Sequence, residues 1–335
     1  MAFVTPALVS SKPIALEEVV ITATRSERDL FWTPASVSVV TEEELSRFNF
    51  ATTTPELLRE EAGIFAQVTT PGQGSPFIRN LTGYHTLILV DTVRLNNSTF
   101  RSGPNQYLAV IDPWVVRRVE VVRGPSSVLY GNGAMGGVVQ VFTVKPALHE
   151  GFRGEAVGWV KSADLGHGAS LQLQEGFGEL ALLAGGSAAG FGYLRAGGGL
   201  RQPLSDYQRG SWHTKVLYRP VPTLSITGAY FGTVLRNVGR SDQLGRGDWR
   251  EYDNDDHLAY TALRWKGEGW LRRVDANVSF HRLVEVVERY TCATDGDGVV
   301  VDRRACVQRD PNMLRRRRVY RDTVDVVGMD TSALV

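Results

Sequence analysis

The stretch from Trp114 to Thr143 constrains the fold of this chain more than any other part of it. It contains an alternating apolar strand, a Gly–Pro turn, a short segment rich in Ser, Leu and Tyr, a glycine cluster and a second apolar strand. Glycines at such positions permit tight turns where one backbone segment approaches another. We therefore expect a compact, turn-rich unit with short strands around this stretch.

The surrounding region, residues 17–145, has the pattern of a mixed α/β unit. Thr41 and Glu44 form a capping box that opens a short helix. Thr54 is predicted to be the N-cap of a second helix, with Pro55 at its first position and Gly63 as its stop. Strands are expected at Val37–Val40, Leu87–Val90, Val119–Val122 and Val138–Phe142. Two or three short helices would then pack on a small mixed sheet.

From about residue 150 to 335 the sequence alternates between apolar and polar residues. In Val274–His281 the apolar even positions oppose Asp, Asn, Ser and His. This period of two fits any half-exposed antiparallel sheet. It also fits a transmembrane barrel, apolar toward lipid and polar toward the lumen. Long polar loops at Leu235–Asp256 and Thr291–Met313, against a tight turn at Pro220–Pro222, favour the barrel.

Composition and motifs exclude several other classes. The net charge of +1 gives no field that would attract nucleic acid. The longest apolar runs are too short for a transmembrane helix. The six histidines are scattered without metal-ligand spacing, and Gly197–Gly199 lacks the strand–turn–helix setting of a phosphate loop. No enzyme activity, metal or cofactor is expected. The basic run Arg315–Arg318 could meet nucleic acid or lipid headgroups, but a solvated rim is favoured.

The two cysteines, Cys292 and Cys306, lie in a polar stretch rich in Gly and Asp. A disulfide between them would close a loop and so stabilise the folded chain by about 3 kcal/mol, if the effect comes from the lower entropy of the unfolded chain. Export from the cytoplasm would permit this bond. A disulfide is therefore favoured over two free thiols, whereas two cysteines without nearby histidine do not make a zinc site.

Several motifs together resemble one known family. The strongest is Arg123–Pro125 followed by Leu129–Gly131 and the glycine pair Gly136–Gly137. Supporting segments are Pro34–Thr41, Phe77–Gly83 and Leu87–Val93. As a set, over residues 17–145, these resemble the plug domain of TonB-dependent outer-membrane receptors. Asn80 and Thr92 stand where that family usually has glycine; Asn tolerates a positive φ, but Thr does so less easily.

The resemblance implies a mixed α/β plug domain followed by antiparallel strands of a transmembrane β-barrel, residues 150–335. Such receptors use inner-membrane energy to import a scarce large solute, such as a ferric siderophore, haem or cobalamin. The implied location is the outer membrane of a Gram-negative bacterium. The implied partners are TonB with its inner-membrane energising complex, outer-membrane lipid and a metal chelate or other small molecule, and no nucleic acid.

The resemblance also assigns roles to individual residues. The β-prone segment formed by Glu18, Val19, Val20, Ile21, Thr22 and Ala23 is similar to a TonB box. An unpaired segment of this kind can add to the sheet edge of a partner; the alternative is a plain N-terminal strand. Arg79 and Arg123 match plug arginines that face glutamates of the barrel wall and hold the plug in place, the alternative being ordinary surface arginines.

Ligand contacts in this family come from plug loops that face outward. The corresponding stretches here are Val68–Phe77 and Asn96–Tyr107. Their aromatic and polar side chains are the candidate ligand-binding residues. These are Gln73, Phe77, Phe100, Arg101, Asn105, Gln106 and Tyr107.

Counting strands suggests that the chain is the N-terminal part of such a receptor. A plugged transporter barrel has about 22 strands, and the residues after Thr143 can supply about eight. We therefore expect a truncated gene product or a fragment, with residues 1–16 as a possible remnant of a signal peptide and the true start upstream. A leaderless protein is the alternative. Two other functions remain open: a signal-transducing receptor of the same superfamily, and a non-transporting remnant with a plug-like binding module.

Overall fold

The computed structural model describes residues 19–47, 51–100, 107–149, 151–195, 197–240, 247–293 and 314–335. Two units pack against each other. The first, here called the plug, comprises the described residues from 19 to 145. The second, here called the wall, comprises those from 151 to 335 and is a single antiparallel sheet.

The plug is built around a five-stranded mixed sheet. Its nine strands are β1 (Val19–Val20), β2 (Arg28–Asp29), β3 (Ser36–Val40), β4 (Ile64–Thr70), β5 (Gln73–Ile78), β6 (Thr86–Val90), β7 (Val93–Arg94), β8 (Val116–Arg123) and β9 (Gly137–Thr143). The main sheet has the order β3-β8-β9-β6-β7, in which only β6 and β9 run parallel. The pairs β1–β2 and β4–β5 form separate two-stranded ribbons. All four predicted plug strands are confirmed.

The plug helices are short. The α-helices are α1 (Glu42–Arg47) and α2 (Ser127–Tyr130), and 3₁₀ turns lie at Thr54–Leu58, Gly83–His85, Tyr107–Val110 and Pro113–Val115. The capping box of α1 is confirmed, since Thr41 N donates to Glu44 Oε2 at 2.9 Å and Glu44 N donates to Thr41 Oγ1 at 3.3 Å. Among the described residues, no helix is both long enough and apolar enough to cross a membrane.

The second predicted helix differs from the observed one. Residues 54–58 form only a 3₁₀ turn, its N-cap is Thr53 rather than Thr54, and it ends before Gly63. Buried Thr54 instead donates from Oγ1 to the carbonyl of Ile111 at 2.6 Å. This tertiary hydrogen bond uses the side chain that the prediction had assigned to capping.

The wall is an eight-stranded meander in which each strand pairs with the next along the chain. Its strands are β10 (Gly151–Val160), β11 (His167–Phe177), β12 (Leu180–Phe191), β13 (Tyr207–Val221), β14 (Leu224–Gly239), β15 (Asp248–Lys266), β16 (Arg273–Cys292) and β17 (Leu314–Leu334). A 3₁₀ turn lies at Gly197–Gly199. The sheet is open, with β10 and β17 at its edges. The expected fold class is confirmed: a mixed α/β unit followed by eight antiparallel strands.

The two faces of the wall differ as the alternation predicts. On the inner face, Leu258, Tyr260 and Leu283 join the hydrophobic core of the plug. On the outer face, apolar side chains remain exposed. Examples are Phe152, Leu171, Val216, Val278, Phe280, Val327 and Met329. Because successive residues of a strand point to opposite sides, the apolar set of Val274–His281 faces outward and its polar set faces the plug.

The predicted loops are only partly observed. The bounds predicted for the Leu235–Asp256 loop are wrong at both ends, because β14 continues to Gly239 and β15 already begins at Asp248. Most of Thr291–Met313 lies outside the described residues. The tight turn at Pro220–Pro222 is confirmed, since Val221 pairs with Leu224.

Two turns keep a left-handed backbone without glycine. Asn80 has a φ of 64°, and Asp91 and Thr92, which join β6 to β7, have φ values of 46° and 77°. Consecutive positive φ values are typical of the two-residue hairpin turn, which favours Asn and Gly. The turn therefore forms although Thr92 stands where the family usually has glycine, but this β-branched residue is strained there.

Candidate functional site

The described part of the N-terminal segment, residues 19–23, is docked against the plug rather than free. Val19 and Val20 pair with Asp29 and Arg28 as β1–β2. The next two backbone donors, of Ile21 and Thr22, both bind Glu120 Oε2, at 3.0 and 2.7 Å. The prediction of an unpaired segment is thus wrong, because both its strand edge and its following N–H groups already have partners. Glu18 lies outside the described residues.

Glu120 is well placed to hold this segment. It lies on β8, its side chain is 0% exposed, and its Oε1 lies 2.8 Å from Arg118 Nη2. A buried carboxylate is costly unless it is paired and hydrogen-bonded. Here two backbone N–H groups supply hydrogen bonds to Oε2, and one guanidinium supplies the opposite charge beside Oε1. The plug therefore offers a charged acceptor that the segment itself helps to satisfy.

A second set of contacts holds the other side of the segment. Tyr130 Oη donates to the carbonyl of Thr22 at 2.7 Å. Arg25 donates from Nη1 and Nη2 to the two carboxylate oxygens of Asp330 on β17, at 3.2 and 2.9 Å. Its guanidinium carbon lies 4.7 Å from the centroid of the Tyr130 ring. Burial raises the pKa of Tyr130 to about 12, with Arg25 opposing this, so the phenol stays protonated and can donate.

A cavity of about 370 Å³ lies between this docked segment and the wall. Ile21, Thr22 and Arg25 line one side of it, and Arg264 and Arg273 of the wall line the other. Both wall arginines bind Asp275, Arg264 through Nε at 2.7 Å. The segment therefore borders open space on the side away from Glu120.

The plug is fastened to the wall by two buried polar clusters. In the first, Lys215 Nζ of β13 lies 2.7 Å from Asp91 Oδ2 and 2.6 Å from Thr143 Oγ1. Tyr260 Oη also donates to Asp91 Oδ2, at 2.9 Å. Burial acts to raise the pKa of Asp91, but Lys215 and the Thr143 hydrogen bonds outweigh it, and the pKa is lowered.

The second cluster centres on Asp112. Its Oδ2 accepts from Ser187 Oγ at 2.5 Å and from Ser211 Oγ, both on the wall. Arg209 Nη2 lies 3.4 Å from Asp112 Oδ1, and Arg209 Nη1 donates to the carbonyl of Thr52 at 2.5 Å. Two carboxylates of the plug thus meet two cations of β13.

The arginines predicted to hold the plug have different surroundings. Arg123 donates to Ser38 Oγ at 2.6 Å and lies 3.7 Å from Glu61 Oε2. Burial lowers the pKa of Arg123, with Glu61 opposing. Arg79 lies beside Gly124, where an added methyl group would approach its Nη1 to 3.0 Å. Within the part of the chain that is described, neither arginine pairs with a wall carboxylate, so their role toward later strands stays a prediction.

Three of the seven predicted ligand residues are buried inside the plug. Gln73, Phe100 and Tyr107 are buried, and Phe100 stacks on Tyr107 with centroids 5.0 Å apart. This placement corrects the expectation, because aromatic packing in the core uses the rings that were assigned to ligand. Phe77 is half-buried and contacts Phe65 edge-on. Arg101, Asn105 and Gln106 lie outside the described residues.

The predicted disulfide is not tested. Cys292 is buried at the end of β16, and its predicted partner Cys306 lies outside the described residues. The pairing stays a prediction.

The sequence interpretation missed the residues that form these contacts. Glu120 is a charged residue among the valines of β8, and this interruption of an apolar run was the available signal. Lys215 is likewise a cation on the inward face of β13. Apart from Arg118, the partners given above for these two residues lie 72 or more positions away along the chain, and no local pattern identifies them.

Residues 29–138 match the family model described as "TonB-dependent Receptor Plug Domain". The chain is 36% identical over 131 residues to the vitamin B12 transporter BtuB of Vibrio vulnificus, covering 38% of this chain and 21% of the relative. It is 35% identical over 176 residues to a hemin receptor of Yersinia enterocolitica, covering 48% and 24%. The chain thus spans about a quarter or less of these curated relatives.

Solved structures share the fold. The copper transporter OprC superimposes with a TM-score of 0.67 at 16% identity, over 89% of this chain and 43% of that chain. The siderophore receptor PirA from Acinetobacter baumannii gives 0.65 at 15% identity, over 89% and 45%. These superpositions extend beyond the plug into the wall strands.

Proposed function

The chain belongs to the TonB-dependent receptors, and on that premise we propose that it serves an energy-coupled importer of a scarce large solute. The solute would be a ferric siderophore, haem, cobalamin or a similar molecule, and no covalent chemistry is involved. The observation that carries this proposal is the docked N-terminal segment, which is held by Glu120 on one side and borders a cavity on the other.

The docked segment is built to be released. Two of its described residues pair with another strand, and it is held further by a few hydrogen bonds, by the burial of Val20 and by the packing of Ala23 in the plug. The ion pair of Arg25 with Asp330 lies just beyond it. Once free, a Val–Val–Ile–Thr run can add to the edge of a partner sheet through its backbone. We take that partner to be TonB, driven by its inner-membrane complex. Arg25 links the segment to Asp330, so release would also break a contact with the wall.

The outer face of the wall supports a location in the outer membrane. Exposed Leu, Val, Phe and Met side chains follow one another on adjacent strands, while polar residues point inward. A soluble protein rarely exposes a continuous apolar surface of this size. Contact with outer-membrane lipid is part of the proposal.

The test is capture of the full chain, in detergent micelles, by the soluble periplasmic domain of TonB. We expect capture by the natural chain and a loss of capture in Ile21→Pro, because proline removes a backbone donor and blocks strand addition. Ser26→Pro, which places the same ring just beyond the segment, is the matched control and should still be captured. Equal capture of all three chains would refute the assignment of this segment.

A further inference from the structure

The end of the wall opposite the docked segment carries a row of arginines on its inner face. Arg250 of β15 lies directly opposite Arg289 of β16, which lies directly opposite Arg318 of β17. Arg316, two residues before Arg318, points to the same side and pairs with Thr291. These four residues are here called the arginine row.

Strand alternation fixes the face on which the row lies. Tyr252, two residues after Arg250, is buried in a cluster that contains plug residue Val110. Asp330, twelve residues after Arg318 on β17, binds Arg25 of the plug. Residues an even number of positions apart on a strand point to the same side. The arginine row therefore faces the lumen, and its distance from Asp330 places it near the opposite mouth.

Repulsion between the arginines destabilises the row unless an anion lies beside it. Neighbouring strands lie about 4.8 Å apart, and like charges directly opposite one another destabilise a sheet. One carboxylate offsets part of this cost: Asp248 Oδ1 accepts from Arg289 Nε at 2.7 Å and Asp248 also binds Arg250. Arg316 and Arg318 are exposed, and among the described residues neither has a carboxylate within ion-pair distance.

We propose that the arginine row is a binding site for a polyanionic, oxygen-rich solute at the mouth of the lumen. Guanidinium groups bind carboxylate, catecholate or phosphate oxygens through paired N–H donors. Asp248 fixes two of them, which reduces the entropy lost on binding. Tyr320, half-exposed and two residues from Arg318 on the same face, adds an aromatic surface beside them. This inference deepens the proposed function, on which it rests, by naming the charge class of the solute.

Two iron chelates of similar size, one anionic and one neutral, provide the test. The first is a hexadentate ferric tris-catecholate with a charge of −3, and the second is a neutral hexadentate ferric trihydroxamate. Each is titrated into the full chain in detergent micelles, and tryptophan fluorescence quenching reports binding. We expect the anionic chelate to bind at least about ten-fold more tightly, and its affinity to fall as salt screens the charges.

Substitutions on the same strand separate the site from bulk charge. Arg316→Gln with Arg318→Gln should weaken binding of the anionic chelate about ten-fold, because charge-assisted hydrogen bonds are lost. Arg321→Gln removes one positive charge from the outward face of the same strand, half of what the double change removes, and should leave the affinity unchanged. Arg316→Lys with Arg318→Lys keeps the charge but not the paired donors. Its affinity for the anionic chelate should lie between that of the natural chain and that of the double glutamine variant. A normal chain with equal affinity for both chelates, or an equal loss in Arg321→Gln, would overturn the site.

Failure of this site is distinguishable from failure of the proposed function. Capture by the TonB domain needs no solute and depends on residues at the other end of the wall. Retained capture together with no preference for the anionic chelate would refute the arginine row alone.

Discussion

Lys215 on the wall and Asp91 on the plug form a buried ion pair, with Nζ and Oδ2 2.7 Å apart and side chains only 2% and 9% exposed. Thr143 and Tyr260 complete the hydrogen bonding of this pair. Removal of one partner from a buried pair leaves an uncompensated charge, whereas the intact pair satisfies both. This ion pair therefore holds the plug against the wall, and the apolar pattern of the sequence does not predict it.

Removal of the lysine should loosen the plug. We expect Lys215→Met to lower the free energy of unfolding by about 3–5 kcal/mol, since Asp91 is left buried without its cation. Denaturant titration of the full chain measures this change. The double variant Asp91→Asn with Lys215→Met should lose less than the two single changes together. Arg282→Met, which breaks an exposed ion pair with Asp325 on the outer face, is the control and should have little effect.

The same pair predicts a dependence on acid. The pKa of Asp91 is lowered in the folded chain: burial acts to raise it, but Lys215 and Thr143 outweigh burial. Its contribution to stability is therefore complete above the ordinary value of about 3.9 and is lost as pH falls through the folded pKa. Unfolding measured from pH 7 down to about pH 2 should show this loss below about pH 4. Asp91→Asn should remove that component of the acid dependence; an unchanged profile in the variant would contradict the assignment.

Glu120 should control the docking of the N-terminal segment. In Glu120→Gln the amides of Ile21 and Thr22 lose a charged acceptor, and a hydrogen bond to a charged group contributes about 1.5–3 kcal/mol. We expect hydrogen exchange at these two amides to accelerate about ten-fold or more, as measured by mass spectrometry of a peptide spanning 19–24. Glu61→Gln, which alters the partner of Arg123 elsewhere in the plug, should leave that exchange unchanged.

Thr92 offers a stabilising substitution. Its φ of 77° strains a β-branched residue, and the side chain is exposed, so no packing is lost when it is removed. Thr92→Gly should raise the free energy of unfolding by about 1 kcal/mol. Thr261→Gly, at an exposed position inside β15, should lower it, because glycine weakens a strand interior. Denaturant midpoints of both variants give the comparison.

Local patterns in the sequence predicted the elements well. The strand at Val138–Phe142 is an apolar run interrupted only by Gln140, and the alternation of Val274–His281 assigns each residue to the correct face of β16. Both signals depend on nearest neighbours along the chain. The eight wall strands follow from the same reasoning, since every wall strand pairs with its immediate neighbour in sequence.

The contacts that define the site could not be predicted in this way. Glu120 meets Ile21 and Thr22 across about a hundred residues, and Arg25 meets Asp330 across 305. A single sequence carries no information about such pairings. The prediction for Phe100 and Tyr107 failed for a related reason, because an aromatic residue in a loop fits a core position as well as a binding surface.

The position of β3 determines how the plug would respond to a mechanical load. Tension applied at the N-terminus reaches the two-residue β1–β2 ribbon first and the Glu120 contacts next. It then reaches β3, an edge strand joined only to β8 over five residue pairs. Each contact is loaded in turn, so a modest force can strip the chain from that edge. Strands β8, β9 and β6 would keep their mutual hydrogen bonds, and the plug would yield from one side while the rest stays fastened to the wall.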